Sequence, residues 1–598
     1  MTAATRSASS TARRRAASGR PGGALAATLA GAGAAAALLW CYYRLSWTVP
    51  ATSDGAAIAL QAQDMLHGNW LLHGWAVGDV TFHTTELPEY AAIEWLRGLG
   101  PGAIHLAAAV TYTLLVLLSA VLARGRAHGR AGLVRALLAA GIMLAPQLGY
   151  GAFVLLLSPD HVGTEVPLLL GWVLLDLAPR RWWVPVLLGA LLACVQYADR
   201  VAVATAAAPL LITTCVLAAR SALRDRPGGM RAAARRSWYE LSLAAAALAS
   251  VAVSWAAARL IAAVGEYAAH PLPTALAPLR LLWTHIWLTG WGILELYGAN
   301  FTGVSGWVAT LFAVAHLAGL ALGIAGFAVA LRRFLLPRAE PDLVDSVLAV
   351  AIACNLALYV LSIEPGTIRG TGYNAREIAA VLPLGAVLAG RVIGPKLTRV
   401  IGPKLTRVIG PKLTGHAGCQ AREGRETPRV RSEYWTSSPA QTSRALLLSA
   451  LLSAVLACYA AALGYGAAQP PVPPRNGVLA DWLTAHHLRY GLAGVAANIT
   501  TVDSGGRVGL AVVAVSSGQV RARLYQSKLA AYDPRLHDAN FLVADVPADG
   551  AGYAPEQIPE PVARRTFGPP TRVYHFHGYT VMVWDVNLLT RLGHPPAM

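Results

Sequence analysis

Residues 103–123 read AIHLAAAVTYTLLVLLSAVLA, an unbroken apolar run without one Asp, Glu, Lys or Arg. A helix rises about 1.5 Å per residue, so a run of about 20 such residues crosses a bilayer core of about 30 Å. Working outward, similar runs fall near 24–43, 132–157, 162–178, 182–198, 200–219, 239–264, 306–331, 343–362, 376–392 and 445–464, which predicts about eleven transmembrane helices. The stretch Ala24–Tyr43 exceeds the core of a cleaved signal and reads as a retained first helix. Composition agrees: of 598 residues, 55% are hydrophobic and only 13% charged, which excludes an ordinary soluble enzyme.

Basic residues crowd alternate connecting segments, from Arg13, Arg14 and Arg15 before the first run to the arginine-rich stretch before 445. By the positive-inside rule residues 1–23 form a cytoplasmic basic tail of a multi-pass plasma-membrane protein. An odd number of spans then puts residues 465–598 outside. There the Pro-rich 469–474 reads as a stiff spacer, Val478–Leu488 as a helix, and Arg507–Val515 and Arg572–Val586 as strands. The expected fold is an all-α polytopic membrane domain, 24–464, with a small extracytoplasmic α/β domain, 465–598. Within the membrane domain lie an outer loop, 45–102, and a cytoplasmic loop, 391–444.

The octapeptide RVIGPKLT recurs at 391–398, 399–406 and 407–414, and each Gly-Pro predicts a helix break. It reads as a duplication tolerated in an exposed loop, whose charges anionic headgroups attract. The net charge of +18 invites a nucleic-acid partner, but its placement beside membrane runs argues against one. Cys41, Cys194, Cys215, Cys354 and Cys458 lie in or beside apolar segments, and with Cys419 they make no disulfide framework or CxxC metal motif.

Chemistry concentrates in the outer loops. The first is acidic, with Asp54, Asp64, Asp79, Glu86, Glu89 and Glu94 beside Arg97. Asp54, in Thr52-Ser53-Asp54-Gly55, lies just past the first span, where a carboxylate meets lipid-borne substrates; equally, it caps a helix starting near Ala56. The short loop Ser158–Thr164 sets Asp160 beside His161; both are good divalent-metal ligands but fall short of a coordination shell, and Asp160 is as well read as a helix cap. Asp199 and Arg200 interrupt an apolar run, either as a functional pair or by neutralising each other. Arg376, in GYNARE before a span, can grip a phosphate or simply snorkel. His575 and His577 alternate as on one strand face, and Asn498-Ile499-Thr500 matches a glycosylation sequon; both read as incidental. No P-loop, GxSxG or HExxH motif occurs, which leaves nucleotide-driven transport without support.

This layout resembles the type C glycosyltransferases, polytopic enzymes that take sugar from a polyprenyl-phosphate carrier. The matching features are a first span followed by a large outer loop with an early acid, Asp54 in TSDGA, a second outer loop with Asp160 in SPDHVGT, and Arg376 in YNAREIAAVLPLGAVLAGR. The tail, with GLAGVAANITTVDSGGRV and FGPPTRVYHFHGYTVMVWDVNLL, is similar to tails of uncharacterised bacterial members. An Asp-Glu doublet after the first span, typical of the protein-mannosylating branch, is missing. The resemblance implies an inverting transfer to an unknown cell-envelope acceptor in which Asp54 is the base. Arg376 and Arg200 would bind the donor phosphate, a divalent metal would sit near Asp160, and Glu86, His161 and Asp199 would support the site. The competing class is a non-enzymatic lipid-linked-sugar flippase or envelope scaffold, using the same basic positions without a base.

Overall fold

The computed structural model describes residues 21–78, 80–156, 158, 161–224, 235–268, 275–301, 306–337, 341–363, 365, 373–399, 439–474, 476–494, 496–545 and 557–592. The chain opens with α1 (Pro21–Ser46), followed in the loop 45–102 by α2 (Ser53–Leu66), β1 (Trp75–Val77) and α3 (Glu86–Arg97). The decisive apolar run becomes α4 (Pro101–Arg124), whose proline sits in the first turn, where a missing N–H costs nothing. It packs against α1, α5 (Gly129–Ile142) and α7 (His161–Leu177). After these come α8 (Trp183–Ala198), α9 (Ala208–Arg224), α10 (Trp238–Val264), α11 (Leu282–Leu296), α12 (Trp307–Leu335) and α13 (Leu343–Leu361).

Seven helical segments among the described residues are long and apolar enough to cross a membrane: Pro101–Arg124, Val203–Leu223, Trp238–Val264, Trp307–Leu335, Leu343–Leu361, Asn374–Arg399 and Ala450–Ala467. They do not match the expected eleven one for one. The run at 132–157 is not one helix: α5 stops at Ile142 and a separate turn, α6 (Tyr150–Leu155), follows. Pro146 between them supplies no N–H and disfavours helix at the residue before it. The freed backbone is held by protein: the Tyr112 hydroxyl donates to the Met143 carbonyl at 2.8 Å, the Tyr42 hydroxyl to the Leu144 carbonyl at 2.9 Å, and His316 Nε2 lies 3.0 Å from the Ala145 carbonyl. The apolar helix α11 lies within a segment expected to be loop.

The opposite correction applies to the repeat. Helical structure runs from Tyr373–Ile378 through α14 (Val381–Leu388) and a π turn, Ala389–Ile393, to residue 399, straight through Gly394-Pro395 of the first octapeptide. The Pro395 ring crowds the carbonyl four residues back, which lies in the widened π turn. This copy is also not loop in character. Buried Arg391 contacts Asp176 at 3.2 Å, Asp342 at 3.0 Å and Asp345, and donates to the Leu122 carbonyl at 3.1 Å, tying four segments together. The remaining copies lie outside the described residues beyond 399.

After α15 (Pro439–Ala467) and the Pro-rich connector, the tail forms a six-stranded sheet in the order β5-β4-β3-β7-β9-β8. The strands are β3 (Tyr490–Ala493), β4 (Gly509–Ser516), β5 (Gln519–Ala522), β7 (Phe541–Asp545), β8 (Arg572–Phe576) and β9 (Tyr579–Val583); β3 runs parallel to both β4 and β7. Helices α16 (Gly477–Ala485) and α17 (Ala497–Asp503) cover one face, and α18 (Glu560–Phe567) the other. Alternate residues of β4 enter the two cores, Leu510 and Val512 one and Ala511 and Val513 the other, which is why its centre, LAVV, is apolar at every position. Arg572–Val586 is a hairpin rather than one strand, turning at His577-Gly578 with φ of 46° and 82°. His575 and His577 therefore do not share a strand face.

The tail docks on the loop 45–102. A short strand, β6 (Ser527–Lys528), pairs antiparallel with β1, which pairs parallel with β2 (Tyr267–Ala268). The Leu529 N–H donates to the Gly74 carbonyl at 2.9 Å, and Lys528 Nζ lies 2.7 Å from Asp64. Loop and tail are thus on the same side of the helical domain.

Candidate functional site

The site is built where the loop 45–102 meets the segment just before α7. At the start of α2 the Thr52 side chain accepts from the Gly55 N–H at 3.2 Å and is the N-cap, so Asp54, one residue inside the helix, is not consumed as a cap. Its carboxylate faces the Arg376 guanidinium at 3.9 Å, with both side chains about a quarter exposed. Arg376 also contacts Glu377 at 3.6 Å.

Glu377 continues the chain inward. Its Oε2 lies 3.0 Å from His161 Nε2, and the opposite ring nitrogen, Nδ1, lies 2.7 Å from Asp199 Oδ2. For both contacts to be hydrogen bonds, both ring nitrogens must carry hydrogen, so the imidazole is cationic between two carboxylates. Asp199 is fully satisfied, accepting from the Thr164 hydroxyl at 2.7 Å and the Val201 N–H at 2.9 Å. A line of alternating charge, Asp54, Arg376, Glu377, His161 and Asp199, thereby links residues from four parts of the sequence.

Two glycines permit this convergence. A Cβ on Gly55 would stand 2.6 Å from the Ser158 carbonyl and 3.1 Å from Ile104 Cγ2, so only glycine lets the start of α2 lie on the segment just before α7. A Cβ on Gly163 would run into the Glu86 carboxylate, which is buried there and receives a hydrogen bond from the Thr85 hydroxyl at 3.0 Å. A further latch closes the loop from the other side. His83 Nδ1 meets Glu266 at 3.0 Å and Nε2 meets the Trp70 carbonyl at 3.0 Å, while the Tyr197 hydroxyl donates to Glu266. Burial alone would lower the His83 pKa, but the Glu266 carboxylate outweighs it and holds the value above normal.

The structure therefore brings together Asp54, Arg376, His161 and Asp199, with Glu86 packed beside them. It does not pair Asp199 with Arg200, which is exposed on the neighbouring turn. Glu377 and Thr164 were not assigned any role by sequence reasoning; the one signal for Glu377 is its adjacency to Arg376. Asp160 lies outside the described residues. No group of three or more His, Cys, Asp or Glu among the described residues is placed to hold a metal ion. Both His161 nitrogens are committed to carboxylates, and Asp54 is opposed by a guanidinium, so these residues by themselves do not fit a divalent cation.

No protein-family model and no curated protein matches the chain. Among solved structures it is similar to the oligosaccharyltransferase of Archaeoglobus fulgidus. The form tethered to an acceptor peptide containing an NVT sequon is 15% identical, over 85% of this chain and 64% of that one, with a TM-score of 0.39. The apo form gives 14%, 85%, 65% and 0.40. The complex with Zn and sulfate gives 15%, 91%, 68% and 0.41. The chain thus spans about 64% of the length of the first of these proteins. At this identity and TM-score no residue role passes from one to the other.

Proposed function

We propose that the protein is a membrane glycosyltransferase that moves a sugar from a polyprenyl-phosphate donor to an extracytoplasmic envelope acceptor. The reading rests on one observation: an uncapped, partly exposed carboxylate, Asp54, held 3.9 Å from a guanidinium, Arg376, at the end of the helical domain where the tail docks. A base and a phosphate-binding cation side by side are what sugar transfer from a lipid phosphate requires.

In this mechanism Asp54 accepts the proton of the acceptor hydroxyl as its oxygen bonds to the anomeric carbon. The bond from that carbon to the phosphate oxygen breaks, the electron pair leaves on the lipid phosphate, and the configuration inverts in a single displacement. Arg376 neutralises the growing phosphate charge with charge-assisted hydrogen bonds. Glu377, anchored through His161 to Asp199, orients Arg376 from behind. Arg200, on the turn after Asp199, offers a second positive charge to the donor. No step is assigned to a metal.

The test is incubation of the purified protein with a panel of radiolabelled polyprenyl-phosphate sugars. Transfer or hydrolysis releasing free polyprenyl phosphate is expected for at least one donor. Binding without turnover across the panel would instead favour the flippase or scaffold reading.

A further inference from the structure

A cavity of about 370 Å³ opens between α2 and the tail domain, lined by Gln63, Asp64, Trp75, Tyr490, Asn498 and Lys528 among others. That volume lies toward the small end of the roughly 300–1,000 Å³ range of small-molecule sites. Its wall is knitted from two parts of the chain. Asp64 accepts from the Trp75 indole at 2.8 Å and the Asn69 amide at 2.6 Å, and pairs with Lys528 at 2.7 Å. Burial would raise the Asp64 pKa, but the hydrogen bonds from Lys528, Trp75 and Asn69 hold it below the usual value, so the carboxylate stays charged. The Tyr490 ring is fixed by its hydroxyl's bond to the Ala531 carbonyl at 2.9 Å and by stacking on His537 at 4.0 Å.

The geometry points to this cavity as a binding subsite for the acceptor, an uncharged, hydroxyl-rich oligosaccharide; the assignment to the acceptor rests on the transferase reading above. Three features select a sugar. Tyr490 is a partly exposed, rigid aromatic wall for a sugar ring, while the buried Trp75 serves to fix Asp64 through its indole N–H. The Gln63 carboxamide and Asn498 Oδ1 take no hydrogen bond among the described residues, although both face the cavity. Asn498 does donate through Nδ2 to the Gln526 carbonyl at 3.1 Å, which holds Oδ1 in place. Finally, the Asp64–Lys528 pair offers an acceptor and donors while cancelling its own charge, which favours a neutral ligand.

Position selects the acceptor over the donor. Asp54 and Gln63 lie on one helix, nine residues apart, so the cavity lies about 14 Å along α2 from the proposed base and about half a turn round the helix from it. Its lining comes from the end of α2, β1 and the tail, and includes no residue of the membrane-length helices that a polyprenyl chain must follow. A saccharide chain held here must wrap half a turn round α2 as well as run along it to present its end to Asp54.

The experiment uses the full-length protein in nanodiscs and an array of neutral, amino-sugar and uronic-acid oligosaccharides, with an unstructured peptide as control, read without donor. The wild type is expected to bind a neutral oligosaccharide. Gln63→Ala should weaken that binding by about two- to tenfold, the loss of one hydrogen bond. Gln63→Trp, which fills the cavity from a half-buried helix position, should abolish it, with unchanged thermal unfolding as the folding control. Absence of binding to every neutral member, preference for the peptide or the uronic acids, or wild-type affinity in Gln63→Trp overturns the inference. Asp54→Asn separates the two readings, because it should bind the same oligosaccharide as wild type. If the protein binds the sugar and no donor is turned over, the transferase reading fails and the cavity remains a glycan site. If transfer proceeds at the wild-type KM in Gln63→Trp, the cavity assignment alone fails.

Discussion

Replacing Asp54 by Asn separates chemistry from folding, because the structure assigns the helix cap to a different residue. Thr52 caps α2, so Asp54→Asn leaves the cap intact. What the substitution removes from stability is a carboxylate in the first turn of a helix, worth about 0.3–1 kcal/mol, and one ion pair at 3.9 Å with partly exposed partners, worth about 1 kcal/mol at most. Loss of a general base costs about 10²–10⁴ in rate, which at 1.36 kcal/mol per tenfold is about 3–5 kcal/mol of transition-state stabilisation. Thr52→Ala provides the reverse case: it deletes a cap, costing about 0.5–2 kcal/mol of stability, and leaves the carboxylate in place. The assay pairs initial transfer rates, using whichever labelled polyprenyl-phosphate sugar turns over, with thermal unfolding of the same preparations. Asp54→Asn should melt within a few degrees of wild type and transfer at least a hundredfold more slowly; Thr52→Ala should melt lower and keep most of its activity. Wild-type transfer by Asp54→Asn, or equal loss in both variants, would refute the assignment of the base.

Four further outcomes follow. Gly55→Val places a branched side chain against the Ser158 carbonyl, so it should cost about 1–3 kcal/mol and reduce transfer by displacing Asp54, measured by melting and rate together. Deleting residues 399–414, the second and third octapeptides, should leave expression and activity near wild type. Arg391→Ala, in the first copy, strands three carboxylates and should destabilise by about 3–5 kcal/mol, seen as loss of folded protein on size-exclusion chromatography. The His83 latch should depend on pH. Its folded pKa is raised, so its contribution is complete below the unfolded value of about 6.5 and is lost as pH rises through the higher folded value. Hydrogen exchange of residues 80–86, corrected for intrinsic rate, should therefore speed up between pH 6 and pH 9 in the wild type and show no such step in His83→Gln.

The membrane character of the chain was legible in the sequence alone, because burying a helix in lipid requires a run of apolar residues whatever its neighbours are. The α/β nature of the tail was legible for a related reason: a strand segment covered on both faces, such as residues 510–513, must be apolar at every position. Asp54, His161, Asp199 and Arg376 could each be singled out as ionisable groups at apolar boundaries. Only the tertiary structure decided which of them meet. Asp199 turns to His161 and Thr164 rather than to its neighbour Arg200, and Glu377 becomes the bridge because residues far apart in the chain are packed at one end of the bundle. Local patterns also failed where distant contacts compensate. The first octapeptide stays helical through its Gly-Pro where a π turn at Ala389–Ile393 gives the proline ring room and Arg391 anchors the segment to three carboxylates, and the break at Pro146 is tolerated because Tyr42, Tyr112 and His316 bind the freed carbonyls. A helix-period pattern records what one segment prefers, whereas a charge pair or a broken span is stabilised by partners that the linear sequence does not bring side by side.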